Sequence, residues 1–340
     1  MQEINTYAMK HFKFLFYLFL FFLISDNLMA KVTIFTIGDS TMANKPTEDD
    51  NPERGWCQML QSLLDPEYIY VENHAVNGRS SKSFIDEGRW NVVLNRIKPG
   101  DYVFIQFGHN DEKKDVERHT EPGKTFDKNL RRFVIETKSR GGIPVLFNSI
   151  VRRTFTDNKN AINEDDKFGR VNNNLKKEGF KLVDTHGDYL LPPKNIAKET
   201  NSIFIDMNKI THDLVENLGP EDSKKLYCWV HKGTCKACPE GREDNTHLNI
   251  YGARLISKLT LAEISNKIEL LKRYTRNYDY VISEDGSGDF LTIEQAFSYI
   301  NNVKNNSKIN VLLRKGRYNV SQLYIPNNVE LSMEKCVILY

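Results

Sequence analysis

Short apolar runs alternate with longer amphipathic segments from Lys31 onward, and this alternation limits the folds open to the chain. The runs are rich in β-branched and aromatic residues and are bounded by Gly, Pro or Asp, which predicts buried strands. The predicted strands are Val32–Ile37, Tyr102–Phe107, Pro144–Ile150 and Ile203–Asp206. The predicted helices are Gly55–Leu64, Thr125–Ser139, Ala161–Glu178, Met207–Leu218 and Ile250–Tyr274. Strands that alternate with helices predict an α/β fold, with a parallel sheet between two helix layers.

Polar residues follow two of the predicted strands. Ser40 comes directly after the first strand, in Gly38-Asp39-Ser40, and Asn110 follows the second. Ligands of open parallel sheets bind at the carboxyl ends of the strands. We therefore expect Ser40 and Asn110 to lie at a ligand-binding edge.

The composition is that of an ordinary globular protein, with 40% hydrophobic and 27% charged residues. A net charge of +2 gives no sign of a polyanion partner, so we expect no nucleic acid to bind.

Residues 1–30 have the pattern of a secretory signal peptide. A basic region at Lys10–Lys13 precedes the apolar run Phe14–Ile24, and Ala30 offers a small residue for cleavage. The run is short for a bilayer-spanning helix, although an uncleaved membrane anchor is the alternative. We expect a secreted or periplasmic protein that is free of the membrane after cleavage.

Export permits disulfides, and the chain has five cysteines. Three of them, Cys228, Cys235 and Cys238, lie close together in one loop. One interpretation is a disulfide of Cys228 with Cys235 or Cys238 that braces the loop, with Cys57 as a further partner. The other is a zinc site of three thiolates and His231. The odd count leaves at least one cysteine, with Cys336 the fifth, unpaired within the chain.

Ser40, His247 and Asp244 are the residue types that a serine hydrolase needs as nucleophile, base and orienting acid. Asp244 precedes His247 by three positions. In a tight turn this spacing lets the carboxylate accept from Nδ1–H, which leaves Nε2 free to face the serine. Taken singly, Ser40 also fits a helix N-cap, and Asp-x-x-His fits a loop cap.

A tetrahedral intermediate also needs hydrogen-bond donors for its oxyanion. Gly78 can offer its backbone N–H where a side chain would block approach, and Asn110 can offer its side-chain amide. The backbone N–H of Ser40 is the third candidate. Asn110 alone also fits a turn after a strand, but four separated segments in one order favour the catalytic interpretation.

The blocks Gly38-Asp39-Ser40-Thr41, Gly78, Gly108–Asp111 and Asp244-x-x-His247 resemble those of the SGNH (GDSL-type) hydrolases. Within them, residues 31–272 look most like the rhamnogalacturonan acetylesterases. The resemblance implies a three-layer α/β/α fold. It also implies Ser40 as nucleophile, His247 as base, Asp244 as its orienter, and Ser40, Gly78 and Asn110 as the oxyanion hole. It implies no metal and no cofactor.

The chain changes character near residues 273–277, which we interpret as a linker. Residues 278–340 resemble the opening of pectin methylesterases, on the motifs Glu284–Phe290 and Thr292–Ala296. The resemblance implies the first, incomplete piece of a right-handed parallel β-helix. The catalytic residues of that family would fall beyond Tyr340, so we expect this segment to be catalytically empty.

Together these features predict an exported esterase that removes acetyl groups from rhamnogalacturonan, a pectic polysaccharide, through an acetyl-enzyme on Ser40. Arg79 and Lys82 are candidate contacts for galacturonate carboxylates, or else solvated surface charges. One alternative is an esterase that acts on acetylated xylan or other esters. Another, of a different class, is a catalytically inactive carbohydrate-binding protein.

Overall fold

The computed structural model describes residues 31–156, 181–302, 307–320 and 324–340. The predicted helix Ala161–Glu178 and the predicted signal peptide lie outside these residues. Among the described segments, no helix is both long and apolar enough to cross a bilayer.

Five parallel strands form the central sheet. In chain order they are β1 (Val32–Gly38), β2 (Ile69–Asn73), β3 (Tyr102–Gln106), β4 (Ile143–Phe147) and β7 (Ile203–Ile205). Between β4 and β7 lie two short antiparallel strands, β5 (Phe155–Thr156) and β6 (Lys181–Leu182). The four predicted strands are therefore confirmed, whereas β2 was missed.

The order of the central sheet is β2-β1-β3-β4-β7. The chain moves from β1 to one side, to β2, and then crosses to β3 on the other side of β1. This reversal creates a crevice between the carboxyl ends of β1 and β3, where Gly38 pairs with Gln106. Open α/β sheets bind ligands at such a switch point.

Helices cover both faces of the sheet. They are α1 (Ser81–Asp86), α2 (Arg89–Leu94), α3 (Thr125–Ser139), α4 (Leu191–Glu199), α5 (Met207–Asp222), α6 (Ile250–Ser265) and α7 (Glu269–Arg273). Alternate residues of β3 belong to different cores: Phe104 packs in the core with α5 and α6, and Val103 and Ile105 in the core with α1 to α4. The three-layer arrangement follows from this alternation.

The structure corrects the predicted helix over Gly55–Leu64. The segment forms two 3₁₀ helices, Trp56–Met59 and Gln61–Leu63. Every residue from Trp56 to Leu64 except Gln58 is buried. Contacts on all sides, rather than one apolar face, therefore set the path of this segment.

Two further predicted helices have different ends. The helix that begins at Met207 continues past Leu218 to Asp222, across a kink at Gly219, where φ is 71°. This glycine precedes Pro220, and a residue before proline avoids the right-handed helical region. The stretch Ile250–Tyr274 is divided into α6 and α7 by Asn266–Ile268.

An antiparallel pair, β8 (Tyr227–Val230) and β9 (Arg242–Leu248), lies before α6. Its ladder is irregular. Tyr227 pairs with Leu248 and Trp229 pairs with Glu243, so residues 244–247 bulge opposite Cys228. The tight turn expected between Asp244 and His247 therefore lies within a bulge of a strand.

The segment after residue 277 contains β10 (Tyr280–Ile282), α8 (Ile293–Asn302), β11 (Ile309–Leu313), β12 (Gly316–Tyr318), β13 (Val329–Met333) and β14 (Val337–Leu339). All of its ladders are parallel, in the orders β10-β11-β13 and β12-β14. We call residues 278–340 the tail.

The tail packs against the hydrolase domain, and its apolar residues belong to the same core as α6. Asp289 and Arg254 form an ion pair whose side chains are 0% and 5% exposed. Arg314 of the tail donates from Nη2 to the carbonyl oxygens of Gln61 and Leu64, at 3.2 and 3.0 Å. A cavity of about 1060 Å³ lies along this seam, lined by residues such as Arg54 and Tyr299. Ser40 does not line it.

Candidate active site

Ser40 stands at the tip of the turn that ends β1. Buried Asp39 shapes this turn, since its Oδ1 accepts hydrogen bonds from the backbone N–H and the hydroxyl of Thr41, at 2.9 and 2.8 Å. Ser40 itself is only partly buried. No helix starts at Ser40, because the next helical segment begins at Trp56, so the alternative of a helix N-cap is wrong.

Gly38 explains why a glycine precedes this turn. A Cβ atom at Gly38 would lie 2.6 Å from the carbonyl oxygen of Gln106 and 2.3 Å from Sδ of Met42. The carbonyl belongs to the neighbouring strand β3 and cannot move away freely. Close packing of β1 against β3 therefore requires glycine at this position.

His247 contacts both of its predicted partners. Its Nε2 lies 2.9 Å from Oγ of Ser40, and its Nδ1 lies 2.8 Å from Oδ2 of Asp244. The carboxylate can only accept, so Nδ1 carries the proton and Nε2 is left to accept the serine hydroxyl proton. The structure thus brings Ser40, His247 and Asp244 together in the order that a nucleophile, a base and an orienting acid require.

The bulge in β9 sets the orientation of Asp244 as well as that of His247. Oδ1 of Asp244 accepts from the backbone N–H groups of Thr246 and His247, both at 2.8 Å. The other oxygen, Oδ2, remains for the imidazole. The spacing of three residues therefore works because the carboxylate closes its own turn and orients the ring at the same time.

Asp244 is ionised in this environment. Burial acts to raise its pKa, but the hydrogen bond from His247 and the charge of Arg242 outweigh burial and hold that pKa well below its ordinary value. Arg242 donates to Oδ2 of Asp244 from Nη2 and Nε, at 2.5 and 3.1 Å.

The loop after β2 carries Gly78 to the end of β1. The backbone N–H of Val76 donates to the carbonyl oxygen of Gly38 at 3.0 Å, which ties this loop to the serine turn. Gly78 has a φ of 75°, in the left-handed region, and a Cβ atom there would meet nothing within 4 Å. The left-handed backbone conformation, rather than a steric clash, therefore favours glycine at position 78.

Asn110 lies close to the Gly78 loop. Its Nδ2 donates to the carbonyl oxygen of Arg79, the residue after Gly78, at 3.2 Å. Its Oδ1 accepts from Nη1 of Arg118 at 3.3 Å, and this contact sets which way the amide points. Gly78 and Asn110 thus occupy adjacent loops at the edge that carries Ser40. Arg118 was missed by sequence analysis, and no motif marks it.

Asp111 links the loop that carries Gly78 with the loop that carries Asn110. Its buried carboxylate accepts from the backbone N–H of Ser81 at 3.0 Å, from that residue's hydroxyl, and from the hydroxyl of Thr120 at 2.9 Å. The backbone N–H of Gly108 donates to it at 3.1 Å. Burial raises the pKa of Asp111 to about 7, against hydrogen bonds that favour the charged form.

Arg79 and Lys82 are both engaged with carboxylates. Nε of Arg79 lies 3.1 Å from Glu87, and Nζ of Lys82 lies 3.0 Å from Asp86. Each side chain is about one-third exposed, at 35% and 37%. This is the arrangement expected of solvated surface charges.

The cysteine interpretations are not realised in the structure. All five cysteines are free thiols. The thiol of Cys228 is buried on β8 and contacts the carbonyl oxygen of Leu248 at 3.3 Å, whereas Cys235 contacts the carbonyl oxygen of Asp50. The two thiols therefore point at different backbone groups, and the predicted disulfide of Cys228 is wrong. Within the described ranges, no group of three or more His, Cys, Asp or Glu residues is arranged to hold a metal ion.

Comparison with known proteins identifies the family of this chain. Residues 36–213 match the model of the GDSL-like lipase/acylhydrolase family. The chain is 34% identical over 255 residues to the rhamnogalacturonan acetylesterase RhgT of Bacillus subtilis (strain 168), covering 75% of this chain and 96% of the relative. It is 31% identical to the probable rhamnogalacturonan acetylesterase YesY of the same organism, covering 66% of this chain and 89% of the relative.

Among solved structures, the fold resembles the YxiM protein of Bacillus subtilis, with a TM-score of 0.53 and 25% identity. The matched part covers 70% of this chain and 57% of the YxiM chain, so the likeness spans little more than half of that protein.

Proposed function

Since the chain belongs to the GDSL-like lipase/acylhydrolase family and is a carboxylic ester hydrolase, we propose that it removes acetyl groups from rhamnogalacturonan. The observation that carries the proposal is the 2.9 Å contact between Nε2 of His247 and Oγ of Ser40, with Asp244 behind the ring. The names of two relatives support the acetylated pectic substrate.

In the proposed mechanism, Oγ of Ser40 attacks the acetyl carbonyl carbon while Nε2 of His247 takes the serine proton. The tetrahedral oxyanion accepts hydrogen bonds from the backbone N–H groups of Ser40 and Gly78 and from the amide of Asn110. His247 then returns the proton to the sugar oxygen as the C–O bond breaks, leaving acetyl-Ser40. Water, deprotonated by the same nitrogen, attacks the acetyl carbon. The bond to Oγ of Ser40 then breaks, Nε2 of His247 returns the proton to Oγ, and acetate is released.

Asp244 supports each of these proton transfers. Its carboxylate holds the ring in the tautomer that has Nδ1 protonated, and its charge stabilises the imidazolium that forms twice in the cycle. The low pKa of Asp244 keeps it ionised at any pH at which the neutral imidazole can act as a base.

The tail also bears on the substrate. We propose that residues 278–340 form the opening of a pectinesterase-like β-helix and take no part in the chemistry. The parallel ladders β10-β11-β13 and β12-β14 support this proposal. The resemblance of the tail to pectin-directed enzymes is a second reason to expect that Ser40 attacks an ester on a pectic polysaccharide.

We propose that residues 1–30 direct export and are cleaved near Ala30, so that the enzyme works outside the cytoplasm on polymeric substrate. N-terminal sequencing of the protein from its native host checks this. A mature chain that begins near Lys31 supports export, and an intact Met1 or Met9 contradicts it.

Acetate release tests the enzymatic proposal. Wild type is expected to release acetate faster from acetylated rhamnogalacturonan than from acetylated xylan, and Ser40→Ala is expected to release none from either. Circular dichroism of Ser40→Ala should match that of wild type. A preference for xylan would overturn the pectic assignment, and activity in Ser40→Ala would overturn the serine mechanism. If wild type released no acetate from either polymer, the alternative of a catalytically inactive carbohydrate-binding protein would be favoured instead.

A further inference from the structure

A row of charged side chains extends away from the acid of the site. Arg242, which binds Asp244, also donates from Nη1 to Oε2 of Glu53 at 2.5 Å. The other oxygen of Glu53, Oε1, lies 2.7 Å from Nζ of Lys45. Positive and negative charges therefore alternate along Lys45, Glu53, Arg242 and Asp244.

The row ends at the loop that carries Gly78. Nζ of Lys45 donates to Oδ1 of Asn77 at 2.6 Å, and Asn77 directly precedes Gly78. One continuous set of contacts thus joins the orienting acid with the candidate oxyanion loop.

The Lys45–Glu53 end of this row is buried. The side chain of Lys45 is 2% exposed and that of Glu53 is 12% exposed. An ammonium group is rarely buried unless it is paired, because removing it from water is costly. With little solvent to screen it or compete for it, the Lys45–Glu53 pair holds one geometry.

The backbone places Glu53 next to the segment of His247. Glu53 forms an isolated antiparallel bridge with Asn249, and the N–H of Arg54 donates to the carbonyl oxygen of Leu248 at 2.9 Å. Burial acts to raise the pKa of Glu53, but His247, Lys45 and Arg242 outweigh it and lower that pKa. Glu53 is therefore an ionised carboxylate close to the imidazole.

Glu53 compensates for the effect of Arg242 on the charge of Asp244. Oδ2 of Asp244 accepts from both His247 and Arg242. A guanidinium on the same oxygen offsets the negative charge that the imidazolium needs. A second carboxylate on the other side of Arg242 restores it, because the charges of Glu53 and Arg242 cancel.

We propose that Glu53 is a positioning residue for ester hydrolysis: it holds Arg242 against Asp244 and supplies a second negative charge that stabilises protonated His247. Lys45 fixes Glu53 and links it to the Gly78 loop. This proposal rests on the assignment of Ser40, His247 and Asp244 as the catalytic residues, and it is independent of which polysaccharide is the substrate.

Glu53→Gln tests the proposal, with nitrophenyl acetate as substrate so that polysaccharide binding plays no part. We expect kcat to fall roughly 10- to 100-fold, the range found when outer-shell partners of metal-bound histidines are replaced, and KM to stay unchanged. The acidic limb of the kcat/KM profile should move to lower pH, because removing a negative charge disfavours the protonated ring. Within the described part of the chain, the charged or titratable groups that face His247 include Asp39, Glu53, His109, Arg242 and Asp244.

A double variant, Lys45→Met with Glu53→Gln, separates electrostatics from folding. It removes both members of the buried pair and so leaves no unpaired ammonium group. We expect the double variant to regain stability but to keep the low kcat and the shifted acidic limb of Glu53→Gln. A return of kcat to the wild-type value in the double variant would mean that Glu53 is only structural, and would overturn the proposal.

Glu199→Gln is the matched control, since Glu199 is an exposed carboxylate paired with Arg131 at 2.7 Å. It should leave kcat and the pH profile unchanged. Wild-type kcat in Glu53→Gln would overturn the proposal while leaving the catalytic assignment intact. Activity in Ser40→Ala would instead overturn that assignment, so the two failures are distinguishable.

Discussion

Nε2 of His247 lies 2.9 Å from Oγ of Ser40, although 207 positions separate the two residues in the chain. Ser40 follows the first strand of the sheet, and His247 lies in the bulge of β9, after all the strands of that sheet. The site is therefore complete only when the first and last parts of the hydrolase domain have met.

Asn110→Ala should lower kcat by about 10²- to 10³-fold with little change in KM, because an amide donor acts on the oxyanion and not on the ground-state ester. Steady-state kinetics with nitrophenyl acetate check this. Asn91→Ala, on the exposed face of α2, is the control and should behave as wild type. A loss smaller than about tenfold in Asn110→Ala would show that this amide is not an oxyanion donor.

Gly38→Ala should reduce both stability and activity. The added Cβ would lie 2.6 Å from the Gln106 carbonyl oxygen, so β1 must move away from β3 and carry Ser40 with it. We expect a cost of about 1–3 kcal/mol in the free energy of unfolding, as for other overpacked sites, together with a fall in kcat for the folded enzyme. Urea unfolding and kinetics measure the two effects.

The comparison for Gly38→Ala is Gly123→Ala, where a methyl group meets nothing within 4 Å but the φ of 76° is unfavourable for alanine. It should lose stability without losing kcat. Equal kcat in the two variants would contradict the steric explanation of the glycine before Asp39.

Asp111 should make the protein less stable as the pH rises. Its pKa is about 7 in the folded state and near 3.8 in an ordinary setting, so the folded protein binds the proton more tightly than the unfolded chain. The contribution of such a group to the free energy of unfolding falls from about pH 4 to about pH 7 and then stays constant. Urea unfolding of wild type and Asp111→Asn at about pH 5 and pH 8 isolates it.

Wild type should lose more stability than Asp111→Asn between those two pH values. Other carboxylates, such as Asp244, add stability as the pH rises, but they act equally in both proteins. If the two proteins change in parallel, Asp111 ionises like an ordinary carboxyl and its four donors outweigh its burial.

Asp289→Asn should destabilise the protein by about 3–5 kcal/mol, because it leaves Arg254 buried without its counter-charge. Glu330→Gln breaks the exposed pair with Lys308, whose side chains are 56% and 69% exposed, and should cost less than about 1 kcal/mol. Urea unfolding of both variants checks the difference. Similar small costs would mean that the seam between the tail and the hydrolase domain contributes little to stability.

Local patterns in the sequence predicted the strands that carry the site. Apolar runs such as Val32–Ile37 end where the parallel sheet ends, so a polar residue after them falls at the ligand-binding edge. Asp244 and His247 are close in sequence and make their own turn, so their contact could also be predicted. Ser40 was placed correctly at a strand end, but its contact with His247 depended on recognising four blocks in one order.

Contacts between distant charged residues could not be predicted. Glu53 and Arg242 are 189 positions apart, and neither lies in a motif that marks it. Hydrophobic periodicity also gives no sign of β8 and β9, because β8 has only four residues, β9 is almost entirely polar, and their ladder is interrupted. The stretch Gly55–Leu64 has the length and pattern of an amphipathic helix, whereas burial of almost all its residues leaves it as two 3₁₀ helices.

The buried contacts between the tail and the hydrolase domain also determine how the protein responds to proteolysis. Arg273 and Arg276 lie in the predicted linker and are cleavage sites for trypsin, and Arg273 is exposed. Yet Asp289 and Arg314 hold the tail to the hydrolase domain through buried groups on both sides of that segment. A nick in the linker would show as two bands on a denaturing gel, while the two fragments would still elute together from a sizing column.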